Sequence, residues 1–305
     1  MSVTLAVVPV AGKGTRLLPL TRSVPKELLP VGSKPVLQLV VEELARSRIS
    51  RVVLVNAPGK SMISAHFAVD HAMNEDLRRR GRTDLMRALK STQLAIQYTN
   101  CIQERQLGLG HAVLCARAAV GAAPFVVALG DTLIGVNSGS NIVKRMMACF
   151  VKQGADAVVA FENVAPEKVS RYGIAQPKGH PGEVFELKDI VEKPAAAKAP
   201  STLAVAARYV FSQDIFGLLA TTKPGKDGEI QLTDAIRALI FGGGKVLGMR
   251  LRPNEMRFDI GNFPSYFQTF CEFALADPQF GPDLRASLKK LLSTRSSHSR
   301  SVQKR

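Results

Sequence analysis

Tryptophan is absent from the 305 residues, and aromatic residues in all make up only 6%. So few flat rings leave little on which a single nucleic-acid strand could stack its bases. Cysteine is scarce: Cys101, Cys115, Cys149 and Cys271 are scattered, with no Cys-x-x-Cys pair. That spacing argues against a zinc site and a disulfide framework, and suits thiols in a reducing compartment, the cytoplasm. No run of about 18 apolar residues occurs, so no membrane span is expected. The chain enters an apolar strand almost at once, without the basic segment, apolar core and cleavage site of a signal peptide, so none is expected.

Acidic residues are also in deficit, 25 against 41 Lys and Arg, which gives a net charge of +16. Seven of the positive charges lie between Arg285 and Arg305, a stretch with no acid and no aromatic residue. Such a surplus can attract nucleic acid or anionic surfaces. A Ser- and Arg-rich end with nothing to stack bases is instead expected to be a disordered, solvated tail over 293–305, following one domain over 1–292. The run Arg78–Arg82 reads as a second solvated loop. Nucleic acid is therefore not an expected partner.

What is present is concentrated between Val3 and Val31, VTLAVVPVAGKGTRLLPLTRSVPKELLPV. An apolar strand empties into Ala11-Gly12-Lys13-Gly14-Thr15-Arg16, and Lys26 follows between Pro25 and Glu27. Glycines without Cβ let backbone N–H groups approach phosphate oxygens, and Arg16 and Lys26 add charge. Two familiar loops do not fit. A dinucleotide fingerprint needs a third glycine where Leu17 stands. A P-loop needs Gly-Lys-Ser/Thr, whereas Lys13 lies between glycines. Gly59-Lys60-Ser61 has that order but lacks the upstream glycine, and reads as an ordinary turn and helix start.

Further along, Lys34-Pro35-Val36 opens an amphipathic helix to about Arg48, and Arg51–Val55 is a β-branched strand. Strand, helix, strand within 55 residues points to a parallel α/β sheet. An irregular helical excursion over 61–89 is broken at Gly81, and Leu94–Tyr98 reads as a third strand. His66 and His71 form no metal pattern. Gly108 and Gly110 precede a helix beginning at His111. Phe125–Leu129 is an apolar strand that delivers Asp131 to its C-terminal edge, where open α/β sheets bind ligands. Helices over 141–153 and 264–292 and strands over 157–161 and 206–211 fill the second half.

The pattern GxGTRxxPxTxxxPKxxxP, met here by Gly12, Gly14-Thr15-Arg16, Pro19, Thr21, Pro25-Lys26 and Pro30, resembles the signature of the sugar nucleotidyltransferases. Pro25-Lys26-Glu27-Leu28-Leu29-Pro30 is most similar to the bacterial UTP–glucose-1-phosphate uridylyltransferases. Asp131, Tyr172-Gly173, Glu192-Lys193-Pro194, Glu229–Asp234 and Asp259-Ile260-Gly261 resemble the same family in order, over about the first 275 residues. The resemblance implies an α/β fold, a doubly wound and mostly parallel sheet with an extra sugar-binding lobe. It implies that UTP and glucose-1-phosphate are joined as UDP-glucose with release of pyrophosphate, by in-line attack at the α-phosphorus. Arg16, Lys26 and Lys193 would be catalytic. Ala11, Gly12, Gly14, Thr15, Glu27, Gln106 and Gly110 would bind the nucleotide, with Gln106 reading the imide edge of the base. Tyr172, Gly173, Glu192 and Lys193 would bind the sugar phosphate, and Asp131 with Asp259 would hold Mg2+.

Two departures stand out: Gly130 replaces a proline before the aspartate, and Ala207 replaces a glycine and could crowd the substrate. Glu192 and Lys193, adjacent on a strand, should face opposite ways unless the strand bends. A homo-oligomer is expected. A thymidylyltransferase of the same superfamily and a non-catalytic regulatory homologue are the alternative readings.

Overall fold

A computed structural model describes residues 2–92, 94–136, 139–225 and 228–302. The first apolar run forms β1 (Leu5–Pro9). Three short 3-10 turns carry the chain to a small hairpin, β2 (Pro30–Val31) and β3 (Lys34–Pro35), and α1 (Val36–Arg46) returns it to β4 (Arg51–Asn56). The polar excursion becomes α2 (Ser61–Phe67), α3 (His71–Arg79) and α4 (Thr83–Thr92), with Gly81 at φ +65° between the last two. The third strand, expected at 94–98, is β5 (Gln97–Ile102). It lies at the sheet edge and is half exposed, so it lacks the apolar alternation of a covered strand, while Leu94 and Ile96 pack against the core just before it.

The chain continues through α5 (Leu109–Cys115), α6 (Arg117–Val120), β6 (Phe125–Ala128), β7 (Thr132–Ile134), α7 (Ile142–Gln153), β8 (Ala157–Asn163), β9 (Gly173–Pro177) and β10 (Val184–Glu192). It ends with β11 (Leu203–Phe211), α8 (Ile215–Thr221), α9 (Leu232–Phe241), β12 (Val246–Arg250), β13 (Arg257–Asp259), α10 (Phe263–Leu275) and α11 (Gly281–Val302). Nine strands form one sheet in the order β5-β4-β1-β6-β11-β8-β12-β10-β9.

The α/β class and the mostly parallel sheet are as predicted: seven of the nine strands run the same way, and β10 and β11 run against them. β5, β4, β1 and β6 run parallel, as do β12 and β8, whereas β11 is antiparallel to both β6 and β8, and β10 is antiparallel to β12 and β9. The link over 178–183 explains part of this, being shorter than the dozen or so residues a parallel crossover needs. Helices cover both faces. Leu5, Val7, Val53 and Val55 belong to one apolar cluster with α5, α8 and α9, and Ala6, Val8, Val52 and Leu54 to another with α1 and α7. The two-residue period of the strands produces this division.

The C-terminal segment also differs from expectation. No Gly or Pro follows Pro282, and α11 is continuous through Val302 rather than ending near Leu292. Residues 303–305 lie outside the described residues. No helix among the described residues is long and apolar enough to cross a membrane.

Candidate active site

Two cavities meet where β1, β6 and β13 end and β7 begins. The first, of about 480 Å3, is lined by Ala11, Gly12, Lys13, Gly14, Thr15, Arg16, Lys26 and Gln106 among others. The second, of about 220 Å3, is lined by Arg171, Tyr172, Gly173, Glu192, Ala207, Thr233, Arg257 and Asp259 among others. Arg16, Leu109, Leu129, Asp131 and Gly261 line both. A larger hollow of about 910 Å3 lies against α1, α3, α4 and the 273–280 segment, and none of the predicted site residues lines it.

In the first cavity Gly14 has φ +67°, and its carbonyl accepts hydrogen bonds from Leu17 N–H (2.9 Å) and Thr21 Oγ1 (2.8 Å). A Cβ at Gly12 would lie 3.3 Å from Lys26 Nζ, so the glycine leaves the ammonium close over the loop without crowding. That ammonium lies 2.5 Å from Asp131 Oδ2. Burial opposes the charge on Lys26, but Asp131 and Glu27 outweigh it and hold its pKa above the ordinary value. Burial likewise opposes ionisation of Asp131, and Lys26 overcomes it, so the carboxyl titrates below its ordinary range.

Gln106 donates from Nε2 to Ala11 O at 2.7 Å. Its amide keeps a carbonyl oxygen and a second N–H for a pyrimidine edge. Gly110 packs against the 229–235 motif rather than lining the cleft. Its N–H donates to Ile230 O at 2.8 Å, and an added Cβ would stand 2.7 Å from that oxygen. Ile230 N–H donates back to Leu107 O at 2.7 Å. The glycines of this loop therefore serve the close approach of the 229–235 motif.

Glu27, expected to bind nucleotide, is 1% exposed, and its Oε2 accepts from Lys60 Nζ at 3.1 Å. Adjacent residues on one 3-10 turn thus diverge, Lys26 to Asp131 and Glu27 to Lys60. Burial pushes the Glu27 carboxyl up, against the pull of Lys60 and Lys26.

The second cavity joins motifs far apart in sequence. Thr233 Oγ1 donates to Glu192 Oε2 at 2.7 Å, linking the 229–235 motif to Glu192-Lys193-Pro194. A Cβ at Gly173 would meet Thr233 Oγ1 at 3.1 Å and Glu192 Oε2 at 3.2 Å, so Gly173 makes room for this contact. Arg257 lies 4.4 Å above the Tyr172 ring and also pairs with Glu162. Glu192 and Lys193 do not face opposite ways. β10 ends at Glu192, Lys193 takes φ +43°, and its ammonium comes within 3.6 Å of Glu192 Oε1. Lys193 is half exposed and stands outside the lining of either cavity.

The antiparallel pair β7–β13 sets Asp259 opposite Thr132, one residue from Asp131, and Ile260 N–H donates to Asp131 O at 3.3 Å. Asp259 Oδ1 accepts from Gly261 N–H at 2.6 Å and Ser265 Oγ at 3.3 Å. These two carboxylates could hold a hard divalent cation that keeps waters or phosphates as its other ligands. Among the described residues no group of three or more His, Cys, Asp and Glu could do so.

Gly130 fits where a larger residue would not, because a Cβ there would meet Val10 Cγ1 at 2.7 Å. Ala207 is buried at φ +59°, where the β11–β8 register shifts. Arg208 beside it is fully buried, donating from Nη2 to Glu43 Oε2 (2.6 Å) and Thr132 O (2.9 Å). The reading of the sequence missed Lys60, Arg208 with Glu43, Thr233 as a single residue, and Arg257. An arginine inside an otherwise apolar strand was the available signal for Arg208.

These two joined cavities, one under a glycine loop and one beside Tyr172 and Glu192, define a nucleotidyltransferase site. The chain belongs to the nucleotidyl transferase family, whose pattern it matches over residues 5–274. It is 39% identical over 288 residues to the UTP–glucose-1-phosphate uridylyltransferase 2 of Staphylococcus saprophyticus, covering 94% of this chain and 97% of the relative. It is 37% identical over 287 residues to the UTP–glucose-1-phosphate uridylyltransferase YngB of Bacillus subtilis (strain 168), covering 94% and 95%. Its fold superposes on a UTP-bound UDP-glucose pyrophosphorylase from Acinetobacter baumannii with a TM-score of 0.87 at 33% identity, covering 95% of this chain and 99% of that one.

Proposed function

We propose that this protein transfers a uridylyl group from UTP to glucose-1-phosphate, giving UDP-glucose and pyrophosphate. The observation that carries the reading is the pair of adjoining cavities that share Arg16 and Asp131. One cavity suits a base and triphosphate, the other a sugar phosphate, and the shared wall is where two anions would have to react. The named uridylyltransferase relatives and the UTP-bound structure support this choice of substrates.

Holding two anions together and neutralising them is the main task in such a transfer. On this reading Arg16 and Lys26 bind the triphosphate and the departing pyrophosphate. Gln106 and the Ala11 backbone meet the uracil edge. Glu192, held by Thr233, takes sugar hydroxyls beside Tyr172 and Gly173, and Lys193 aligns the attacking phosphate from the rim. Asp131 and Asp259 would hold magnesium, which would neutralise charge between the phosphates. The ammonium now on Asp131 Oδ2 would then turn to the phosphates.

Further parts of the proposal are self-association and a cytoplasmic location. Exposed Phe267, Phe270 and Phe280 support the first, and four free cysteines fit the second. The test of the site is Lys193→Ala, assayed for product and, by calorimetry, for UTP binding. Lost turnover with retained UTP binding is expected; unchanged product formation would overturn the role given to Lys193.

A further inference from the structure

Lys60 lies in the Gly-Lys-Ser stretch that the sequence presents as an ordinary turn. Its ammonium donates to Val10 O at 2.8 Å, Gly12 O at 2.6 Å and Glu27 Oε2 at 3.1 Å. Three donors meet three acceptors, and two of these are carbonyls of the glycine loop itself. The turn that delivers it is well fixed. Pro58 and Gly59 (φ +81°) occupy the centre of a tight turn closed by Lys60 N–H to Ala57 O at 3.3 Å, and Asn56 Nδ2 donates to Lys60 O at 2.9 Å.

We propose that Lys60 is a positioning residue of the nucleotide cleft, whose ammonium fixes the peptide orientations of the glycine loop. In a trans peptide the carbonyl and the following N–H point in opposite directions. Drawing Val10 O and Gly12 O towards Lys60 therefore turns Ala11 N–H and Lys13 N–H away from it. Ala11, Gly12 and Lys13 line the cleft, whereas Lys60 does not. Lys60 thus acts from behind the loop, presenting N–H groups to an anionic ligand without touching it. Through Glu27 it also anchors the 3-10 turn that carries Lys26. Burial pushes the Lys60 pKa down and Glu27 opposes that shift, in keeping with a cation enclosed by its partners.

The bland alternative is a counter-ion for the buried Glu27 and nothing more. Lys60→Met, Glu27→Gln and the double variant, made in the full chain, separate the two. Lys60→Met should weaken UTP binding about tenfold or more, read by calorimetry, and lower Tm, because it leaves the loop carbonyls unheld and Glu27 unpaired. The double variant removes the buried charge, so Tm should recover while UTP affinity stays low. The KM for glucose-1-phosphate should be unchanged throughout. Full recovery of UTP affinity in the double variant, or unchanged affinity in Lys60→Met, would overturn the inference. It rests on the cleft being a UTP site, and the wild type tests that separately. If the wild type binds no UTP, the substrate reading fails, and the same ratio is read with the nucleoside triphosphate that it does turn over.

Discussion

Lys26 Nζ and Asp131 Oδ2 lie 2.5 Å apart, joining residues separated by 105 positions. The pair ties the 3-10 turn that carries Lys26 to the residue just beyond β6, so the glycine-loop side of the cleft and the candidate metal ligand form one unit. A buried pair of this kind matters most when one member is removed, because the other is left charged and unsolvated.

That relationship gives a pH dependence. Asp131 titrates below its ordinary 3.8, and Lys26 above its ordinary 10.5. The carboxylate's contribution to stability is present above about pH 3.8 and lost as pH falls through its depressed pKa. The ammonium's contribution is present below about pH 10.5 and lost as pH rises through its raised value. Lys26→Met removes the main influence that lowers the Asp131 pKa and leaves burial dominant, so that pKa should rise. Urea unfolding at a series of acidic pH values should show the acid loss of stability moving to higher pH. An unmoved acid limb would show that Lys26 does not hold Asp131 ionised.

Ala207→Gly should stabilise the protein. Ala207 sits at φ +59°, a left-handed conformation that costs a residue with Cβ about 1–2 kcal/mol. Glycine should recover about 1 kcal/mol of this, raising Tm by roughly 2 °C in a scanning calorimeter. A lower Tm would show that the methyl group's packing outweighs the backbone strain.

Gly110→Ala should do the reverse. Its Cβ would stand 2.7 Å from Ile230 O, a backbone atom that cannot swing aside. Overpacking of this sort costs about 1–3 kcal/mol. Because Ile230 precedes Thr233, the KM for glucose-1-phosphate should rise as well, which steady-state kinetics would detect.

Arg208→Met should cost about 3–5 kcal/mol by leaving Glu43 buried and unpaired. Denaturant unfolding of Arg208→Met, Glu43→Gln and the double variant checks this. The double variant should recover much of the loss. Its activity should remain reduced, since Thr132 O, beside Asp131, would still lack its donor.

The contrast between Lys26 and Lys60 shows how far the sequence could be read. Lys26 was legible because it lies in a long spaced motif with the glycine loop. Lys60 was passed over because two of its three partners are backbone carbonyls, which carry no side-chain signature. The first four strands of the sheet were legible from apolar runs, except that edge strand β5 is too exposed to show one. The reversal of β10 and β11 was not legible, since pairing direction depends on links that composition does not encode. Strand alternation put Glu192 and Lys193 on opposite faces; the φ of +43° at Lys193, which brings them together, is a tertiary feature. The packing of Gly108 and Gly110 against Glu229 and Ile230 is likewise a tertiary feature, since it joins segments about 120 residues apart.

The most direct test of the account is pyrophosphate release from a matrix of nucleoside triphosphates and sugar 1-phosphates, run with wild type and Asp131→Ala, with and without magnesium. The account predicts release from UTP with glucose-1-phosphate, dependent on magnesium and abolished in Asp131→Ala. Release with no pair, or release from that pair undiminished in Asp131→Ala, would contradict it.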